Sequence, residues 1–468
     1  MKKFFVILVC KTIRLIGRLT GRGSSLPGQI ALKLDPDILS KIKMPPYIVA
    51  VTGSNGKTST VELIARILKD AGKSFAYNKE GSNQIEGVTT LILEHCTFSG
   101  KVKPEIILIE SDERFAKYTF RYFSPTHYII TNLYRDQLTR NGHPEWVAHA
   151  IEESIRPETQ LVLNADDPLV SKFGLGRDNT VYFGADRLPQ STDSCTSLYN
   201  DGKYCPNCKQ PLEYAFYHYN HIGKFHCPSC GLRSCPTAYT VTSADLDESS
   251  VVINEKYRLR LAFSSFYMMY NTLAAFAAAS LLGVAPESIV RSISDYTLQN
   301  GRIVRFAIGR HPGVLLASKH ENSVSYDQSL RAAVAGGRPK TVIIIVDAVS
   351  RKYFTSDVSW LWDIDFELLS ENVQRIVLAG LYCNDLATRF DYTEIPQEKI
   401  TVISDIGEAV SWLAENAVGE ILAVTCFSDK GKFLPMSSRK RRPNHERQAH
   451  YPCPAQEQPP QCVWHLCH

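Results

Sequence analysis

No stretch of this 468-residue chain approaches the ~18–20 consecutive apolar residues that a bilayer-spanning helix needs. The chain also lacks a strong charge of either sign, since 52 Lys and Arg against 48 Asp and Glu leave a net charge of +4. That small excess argues against a dedicated nucleic-acid binder, so no nucleic-acid partner is expected. A full export signal is lacking too. Lys2 and Lys3 precede the apolar run Phe4–Val9, which stops at Cys10-Lys11, short of the ~7–15 residues of a signal core. Ile13, Ile16 and Leu19 then recur at helical spacing among basic residues. The segment reads as a basic amphipathic helix packed on its own domain, with a weak membrane-surface contact as the alternative. The expected location is a reducing cytoplasm, peripheral to the membrane in that alternative. There the 13 cysteines suggest metal binding rather than disulfides.

What the chain does have is the composition of a globular protein, 44% hydrophobic and 21% charged, at a length that suggests two to three domains. Residues 1–46 read as a helical leader ended by Pro45 and Pro46. Residues 47–300 read as a central α/β domain. Its strand candidates are Tyr47–Val51, Ile106–Ile109, Tyr128–Thr131 and Leu161–Leu163, and its helical stretches include Thr58–Asp70 and the Ala-rich Met268–Leu282. Alternation of this kind predicts a mostly parallel sheet with helices on both faces. Residues 195–236, rich in Cys, Tyr and Pro, break the pattern as an insertion. Residues 301–427 form a smaller α/β unit with buried-strand candidates Val342–Val346, Ile376–Leu378 and Ile421–Val424. Residues 428–468 show neither strand nor helix period and are expected to be disordered. Their composition shifts abruptly near Ser428, as a change of reading frame would cause; a basic targeting tail is the alternative.

The strongest motif is Gly53-Ser54-Asn55-Gly56-Lys57-Thr58-Ser59, placed between an apolar strand and an amphipathic helix. Glycines let backbone N–H groups approach phosphate oxygens, and the helix N-terminus adds partial positive charge. Lys57 would meet the β/γ phosphates, and the Thr58 hydroxyl can ligate Mg²⁺. Magnesium also requires carboxylate oxygen. Glu110, in Glu110-Ser111-Asp112-Glu113 at the end of a buried strand, is the chosen ligand, because ligands bind at strand C-termini in such sheets. Asn164-Ala165-Asp166-Asp167-Pro168 also follows a strand and is either a plain turn or a nucleotide contact.

Cys205, Cys208, Cys227 and Cys230 form C-x₂-C-x₁₈-C-x₂-C, with Pro after the first Cys of each pair. Four thiolates at this spacing can enclose one tetrahedral Zn²⁺ and leave no open position, which implies a structural metal. Cys235, His221 and His226 are nearby substitutes.

Preceded by Thr52, the phosphate loop has the form T-G-[ST]-N-G-K-T-[ST] typical of Mur ligases and folylpolyglutamate synthases. Together with the four-cysteine insertion, the chain resembles the MurT family of Mur ligase-like subunits. The resemblance also rests on Ser25-Leu26-Pro27-Gly28 with Ile30-Ala31-Leu32-Lys33, Thr131–Leu138, Tyr270–Ala275 and Asp357–Asp363. It covers residues 20–427. It implies a Mur ligase-type central P-loop domain with a parallel sheet, an inserted zinc ribbon and a Rossmann-like C-terminal domain. It implies an ATP-dependent ligase that phosphorylates the α-carboxylate of D-glutamate in lipid II. Ammonia from a GatD-type glutaminase partner then displaces the phosphate. By resemblance, Asn271 and Arg302 contact the nucleotide. Asp357, with Asp363 as second choice, completes the partner's Cys–His pair; alternatively Asp357 only caps a helix. No cysteine here lies in the G-x-C-x-G elbow of a class I glutaminase, so glutamine hydrolysis requires another chain. The sequence departs from the family pattern at Met268, Val304 and His320-Glu321. The competing readings are a Mur or folylpolyglutamate-type amino acid ligase and a nucleotide-binding partner protein with weakened catalysis.

Overall fold

A computed structural model describes residues 1–19, 24–78, 82–137, 141–296, 303–319, 321–334, 338–348, 357–370 and 372–437. Two sheets carry it. The first has nine strands in the order β11-β10-β9-β6-β5-β4-β1-β3-β2. They are β1 (Tyr47–Thr52), β2 (Phe75–Tyr77), β3 (Ile106–Glu110), β4 (His127–Ile130), β5 (Gln160–Asn164), β6 (Thr180–Ala185), β9 (Tyr239–Asp245), β10 (Ser250–Ile253) and β11 (Tyr257–Arg260). Strands β2 to β6 and β9 run parallel with β1, while β9, β10 and β11 pair antiparallel. Between β6 and β9 stands a separate hairpin, β7 (Glu213–Tyr219) with β8 (Ile222–His226).

Strand β1 shows why this sheet is covered on both faces. Val49 and Val51 point into a core shared with α3 (Lys57–Asp70) and with the helix Phe266–Leu281. Ile48 and Ala50 point into the opposite core, where the leader packs. A parallel strand buried on both sides reads as an unbroken apolar run, hence its legibility in the sequence. The helix Phe266–Leu281 is apolar around nearly its whole circumference and correspondingly buried. Met268, one of the departures from the family pattern, is part of that core and 1% exposed.

The leader belongs to the central unit. Helices α1 (Lys2–Leu19), α2 (Leu26–Leu34) and α4 (Ile85–His95) share one core with β1, through Val6, Ile7, Cys10, Ala31 and Ile92. The buried face of α1 is therefore Val6, Ile7 and Cys10; Ile16 and Leu19, singled out by their helical spacing, are exposed.

The second sheet has six strands in the order β12-β13-β17-β14-β15-β16. They are β12 (Ile303–Ile308), β13 (His311–Ser318), β14 (Lys340–Ile345), β15 (Val373–Ala379), β16 (Ile400–Ile403) and β17 (Glu420–Cys426). All neighbours are parallel except β12 and β13. The absence of period expected from residue 428 does not hold at its start. Lys430–Ser437 is helical, and Phe433 is fully buried edge-on to Phe306 at 5.1 Å. Residues 438–468 lie outside the described residues.

Candidate functional site

The phosphate loop joins β1 to α3. Gly53 and Gly56 have φ of +135° and +85°. A Cβ at Gly53 would lie 2.3 Å from Thr131 Oγ1, and one at Gly56 would lie 1.9 Å from Asn271 Oδ1. Both positions therefore need glycine for conformation and for space. The end of β4 braces the loop: Ser54 N–H donates to Asn132 O (2.9 Å) and Asn55 N–H to Asn132 Oδ1 (2.8 Å). Thr131 Oγ1 donates to Asn55 O at 2.8 Å.

Lys57 is buried and donates to Gly53 O and to Glu113 Oε2, the latter at 2.8 Å. Burial alone would lower its pKa, but the Glu113 carboxylate outweighs it, with Asp136 and Glu110 adding, and the net shift is upward. The loop thus holds a fixed ammonium. Residues Gly56–Ser59, Asn83, Glu110, Asp112, Glu113, Gln137 and Lys319 line an open cleft. Glu110, at the end of β3, is 6% exposed and accepts a long 3.4 Å hydrogen bond from Asn83 Nδ2. Thr58, Glu110 and Glu113 on one cleft are oxygen donors of the kind a hard divalent cation takes. Sequence reasoning selected Glu110 and passed over Glu113, the carboxylate that holds Lys57, because both follow the same strand and only the fold separates their tasks.

A second cavity adjoins the first and shares Gly56 and Ser59 with it. Its wall includes Asn55, Asn271, Tyr134, Tyr219, Ile303 and Leu316, so the central unit, the inserted hairpin and the second sheet all contribute. Asn271, chosen from the sequence, does stand against the loop. Arg302, also chosen, and His320 lie outside the described residues. The fold adds residues not selected. Lys319 Nζ donates to Ser54 O at 2.8 Å, and Asn322 Nδ2 donates to Asp136 Oδ1 at 2.7 Å and to Asn55 Oδ1 at 2.9 Å. Gln137 N–H donates to Glu321 O at 2.9 Å. Their only signal was position: each follows a strand or a motif that points to the cleft.

The acidic turn after β5 faces elsewhere. Asp167 caps the following helical turn through Leu169 N–H (2.9 Å), accepts from Leu133 N–H (2.8 Å) and lies 3.4 Å from His221 Nε2. Asp166 accepts from Ala185 N–H (2.7 Å) and Tyr270 Oη (2.8 Å). Burial pushes Asp166 up to about 6 despite those donors. This is a bracing turn that docks the inserted hairpin.

The four cysteine sulfurs lie within 4.8 Å of one another, with Cys205–Cys230 at 3.6 Å and Cys208–Cys227 at 3.5 Å. A tetrahedral zinc with ~2.3 Å bonds needs sulfurs ~3.8 Å apart, so the set fits. The two turns repeat each other. Lys209 N–H donates to Cys205 O and Gly231 N–H to Cys227 O, and both Lys209 and Gly231 have positive φ. The candidate substitutes are engaged elsewhere: His226 with Glu213, His221 with Asp167, Cys235 with Ser171.

Asp357 is exposed and accepts from Ser359 N–H at 2.9 Å, at the head of the short helix Ser359–Asp363. The Ser359 backbone N–H lowers its pKa. Asp363 instead pairs with Arg135 at 3.2 Å, and Arg135 also holds Asp201 at 3.0 Å and lies over Tyr199. The two aspartates are therefore in different settings, one at the surface and one in a bridge between the insertion and the C-terminal sheet.

Residues 51–203 match the Mur ligase middle domain and residues 320–428 the MurT ligase C-terminal domain. The chain is 32% identical to the lipid II isoglutaminyl synthase (glutamine-hydrolyzing) subunit MurT of Staphylococcus aureus (strain COL), over 88% of this chain and 92% of the relative. It belongs to the MurT family. The MurT subunit of Streptococcus pneumoniae (strain ATCC BAA-255 / R6) is 31% identical over 83% of this chain and 87% of its own length. Among solved structures, a pseudomurein peptide ligase type C from Methanothermus fervidus superposes with a TM-score of 0.67 at 21% identity, covering 86% of this chain and 80% of that one. That likeness is one of fold. Of the departures from the family pattern, Met268 is a core residue and Val304 lies in β12.

Proposed function

We propose that this chain is the ATP-dependent ligase subunit that amidates the α-carboxylate of D-glutamate in the lipid II stem peptide to D-isoglutamine. The observation that carries the reading is the cleft where Lys57, Glu110 and Glu113 meet Lys319, which immediately precedes the MurT-type C-terminal region. A carboxylate is a poor electrophile. Its oxygen attacks the γ-phosphorus of ATP, the bond to the β-phosphate oxygen breaks, and ADP leaves. Ammonia then attacks the acyl carbon and inorganic phosphate departs. Lys57 and the loop N–H groups stabilise charge on the transferring phosphoryl group. Thr58 and Glu110 would hold Mg²⁺, which would supply further positive charge there. Gly53–Ser59, Asn271 and Arg302 hold the nucleotide, and Cys205, Cys208, Cys227 and Cys230 hold a structural Zn²⁺.

A GatD-type glutaminase forms a heterodimer with residues 301–427 and supplies the ammonia, with Asp357 orienting its histidine. The work is done at the inner membrane face, where the lipid-linked substrate lies.

ADP release by the purified chain, with lipid II and with or without the glutaminase subunit and glutamine, tests this. Turnover that requires lipid II and yields a product in which one carboxylate has become an amide, read by mass spectrometry, is expected. Turnover that instead requires a free amino acid would make the protein an amino acid ligase. Nucleotide binding without turnover in the full mixture would make it a non-catalytic partner.

A further inference from the structure

We propose that the outward face of α1 is a docking surface for an anionic lipid bilayer. Phe4, Phe5, Leu8, Leu15, Ile16 and Leu19 are between 40% and 83% exposed. At 3.6 residues per turn they fall within an arc of about 120°. The opposite arc, Val6, Ile7 and Cys10, is fully buried on the central unit. The helix is thus clamped by one face and presents the other outward in a fixed orientation. Phe98, 45% exposed, extends the stripe beyond the helix, its ring 5.2 Å from that of Phe4.

Charge selects the occupant. The helix carries Lys2, Lys3, Lys11, Arg14 and Arg18 and no acidic residue. Glu94 on α4 takes Arg14 and Arg18, and Asp35 lies 4.0 Å from Lys2. Lys2 keeps a side chain 65% exposed and Arg18 one 59% exposed. An apolar stripe edged by long basic side chains matches a headgroup boundary, where the stems lie along the acyl region and the charges reach phosphate. No helix among the described residues is long and apolar enough to cross a membrane, so the contact is peripheral. The inference deepens the proposed function by naming the element that holds the enzyme beside a lipid-linked substrate. Its test omits that substrate, so that failure of one does not entail failure of the other.

The full chain, alone and with its glutaminase subunit, would be sedimented with vesicles of phosphatidylcholine and phosphatidylglycerol and with vesicles of phosphatidylcholine alone. Binding to the anionic vesicles, weakened by salt, is expected. Phe5→Gln/Leu15→Gln/Ile16→Gln should lower that partition at least roughly tenfold, since each side chain loses its apolar insertion. Lys2→Gln should lower it on anionic vesicles only. Because all these side chains are exposed, an unchanged melting temperature shows that the variants fold. Equal sedimentation of wild type and triple variant would overturn the proposal. So would a triple variant that keeps vesicle binding but loses the glutaminase subunit, which would make the stripe a protein interface.

Discussion

Lys57 and Glu113 are each buried, and each is the other's charge partner. Lys57→Met should lower lipid II-dependent ADP release by about 10²–10³-fold, as removal of one preorganised charge does. It also strands Glu113, at a cost of about 3–5 kcal/mol in stability. Lys57→Met/Glu113→Gln should recover the melting temperature and leave activity lost, which separates the two effects. Asp357 is tested by the nitrogen source. Asp357→Asn should reduce glutamine-dependent amidation by up to about 10⁴-fold while amidation from added ammonium stays at the wild-type rate. A glutamine-dependent rate within a few-fold of wild type would leave Asp357 as the cap on Ser359 N–H and turn attention to Asp363. Asp327 lies in the C-terminal core, 2% exposed, with Oδ1 accepting from Asp365 N–H at 2.8 Å. Burial is the main cause that pushes it from 3.8 up to about 8. A carboxyl raised in the folded state favours folding most below its unfolded pKa, and that contribution is lost as pH climbs through the folded value. Asp327→Asn keeps the acceptor and cannot ionise. Its melting temperature should therefore gain on wild type between about pH 4 and pH 8, by the equivalent of up to about 5 kcal/mol. A pH-independent difference would refute the shift.

Among elements, the β7–β8 hairpin has the most to reveal. Its base is tied by the cysteine pairs, and its far end reaches the nucleotide side of the molecule. Tyr219 Oη and Tyr134 Oη are 2.7 Å apart, Gly223 N–H donates to Asp166 O, and both tyrosines line the cavity beside the phosphate loop. The cysteine cluster has a core of only Cys205, Phe225, Cys227 and Leu232, with Cys208, Leu212 and Tyr214 against it. So small a core depends on its metal, which supplies ~10 kcal/mol or more in comparable zinc units. Chelation, or Cys205→Ser, should release zinc at one equivalent per chain and unfold the hairpin. Loss of the tyrosine bond alone, at ~1 kcal/mol, should then raise the Kd for ATP about fivefold. Unchanged nucleotide affinity in the zinc-free protein would show that the ribbon is energetically separate from the cavity.

For the whole molecule, the decisive contacts cross from one sheet to the other. Lys319 reaches Ser54 O and lies 3.4 Å from Asp136, and Asn322 reaches Asn55 and Asp136. These bonds tie the C-terminal unit to the phosphate loop itself, so the position of one unit sets the shape of the other's site. Lys319→Ala should raise the KM for ATP about tenfold through looser closure, with a stability loss of about 1–3 kcal/mol, because Asp136 is buried but keeps Asn322 Nδ2 as a donor. Equal KM values, measured by ADP release, would assign the closure to other residues.

The residue order alone determined the elements whose signal is local. The apolar runs of β1, β3, β5, β14 and β17 were legible because both faces of a parallel strand are buried. The phosphate loop and the four cysteines were legible because their chemistry depends on close spacing. The half-buried strands β9 and β11, with alternating exposure, were not, and neither were three-residue β2 and the antiparallel edge β12. The helix at Lys430–Ser437 was missed because its sequence has almost no amphipathic period; burial of Phe433 and the Lys432–Asp347 pair fix it in place. Tertiary structure decided the pairings between distant positions: Glu113 rather than Glu110 on Lys57, Lys319 on Ser54, Tyr219 beside Tyr134, Asp363 on Arg135. It also decided which side of α1 meets the protein. Periodicity reports that a helix has an apolar stripe, but this helix is apolar on two sides, and packing against α2 and α4 could bury only one of them.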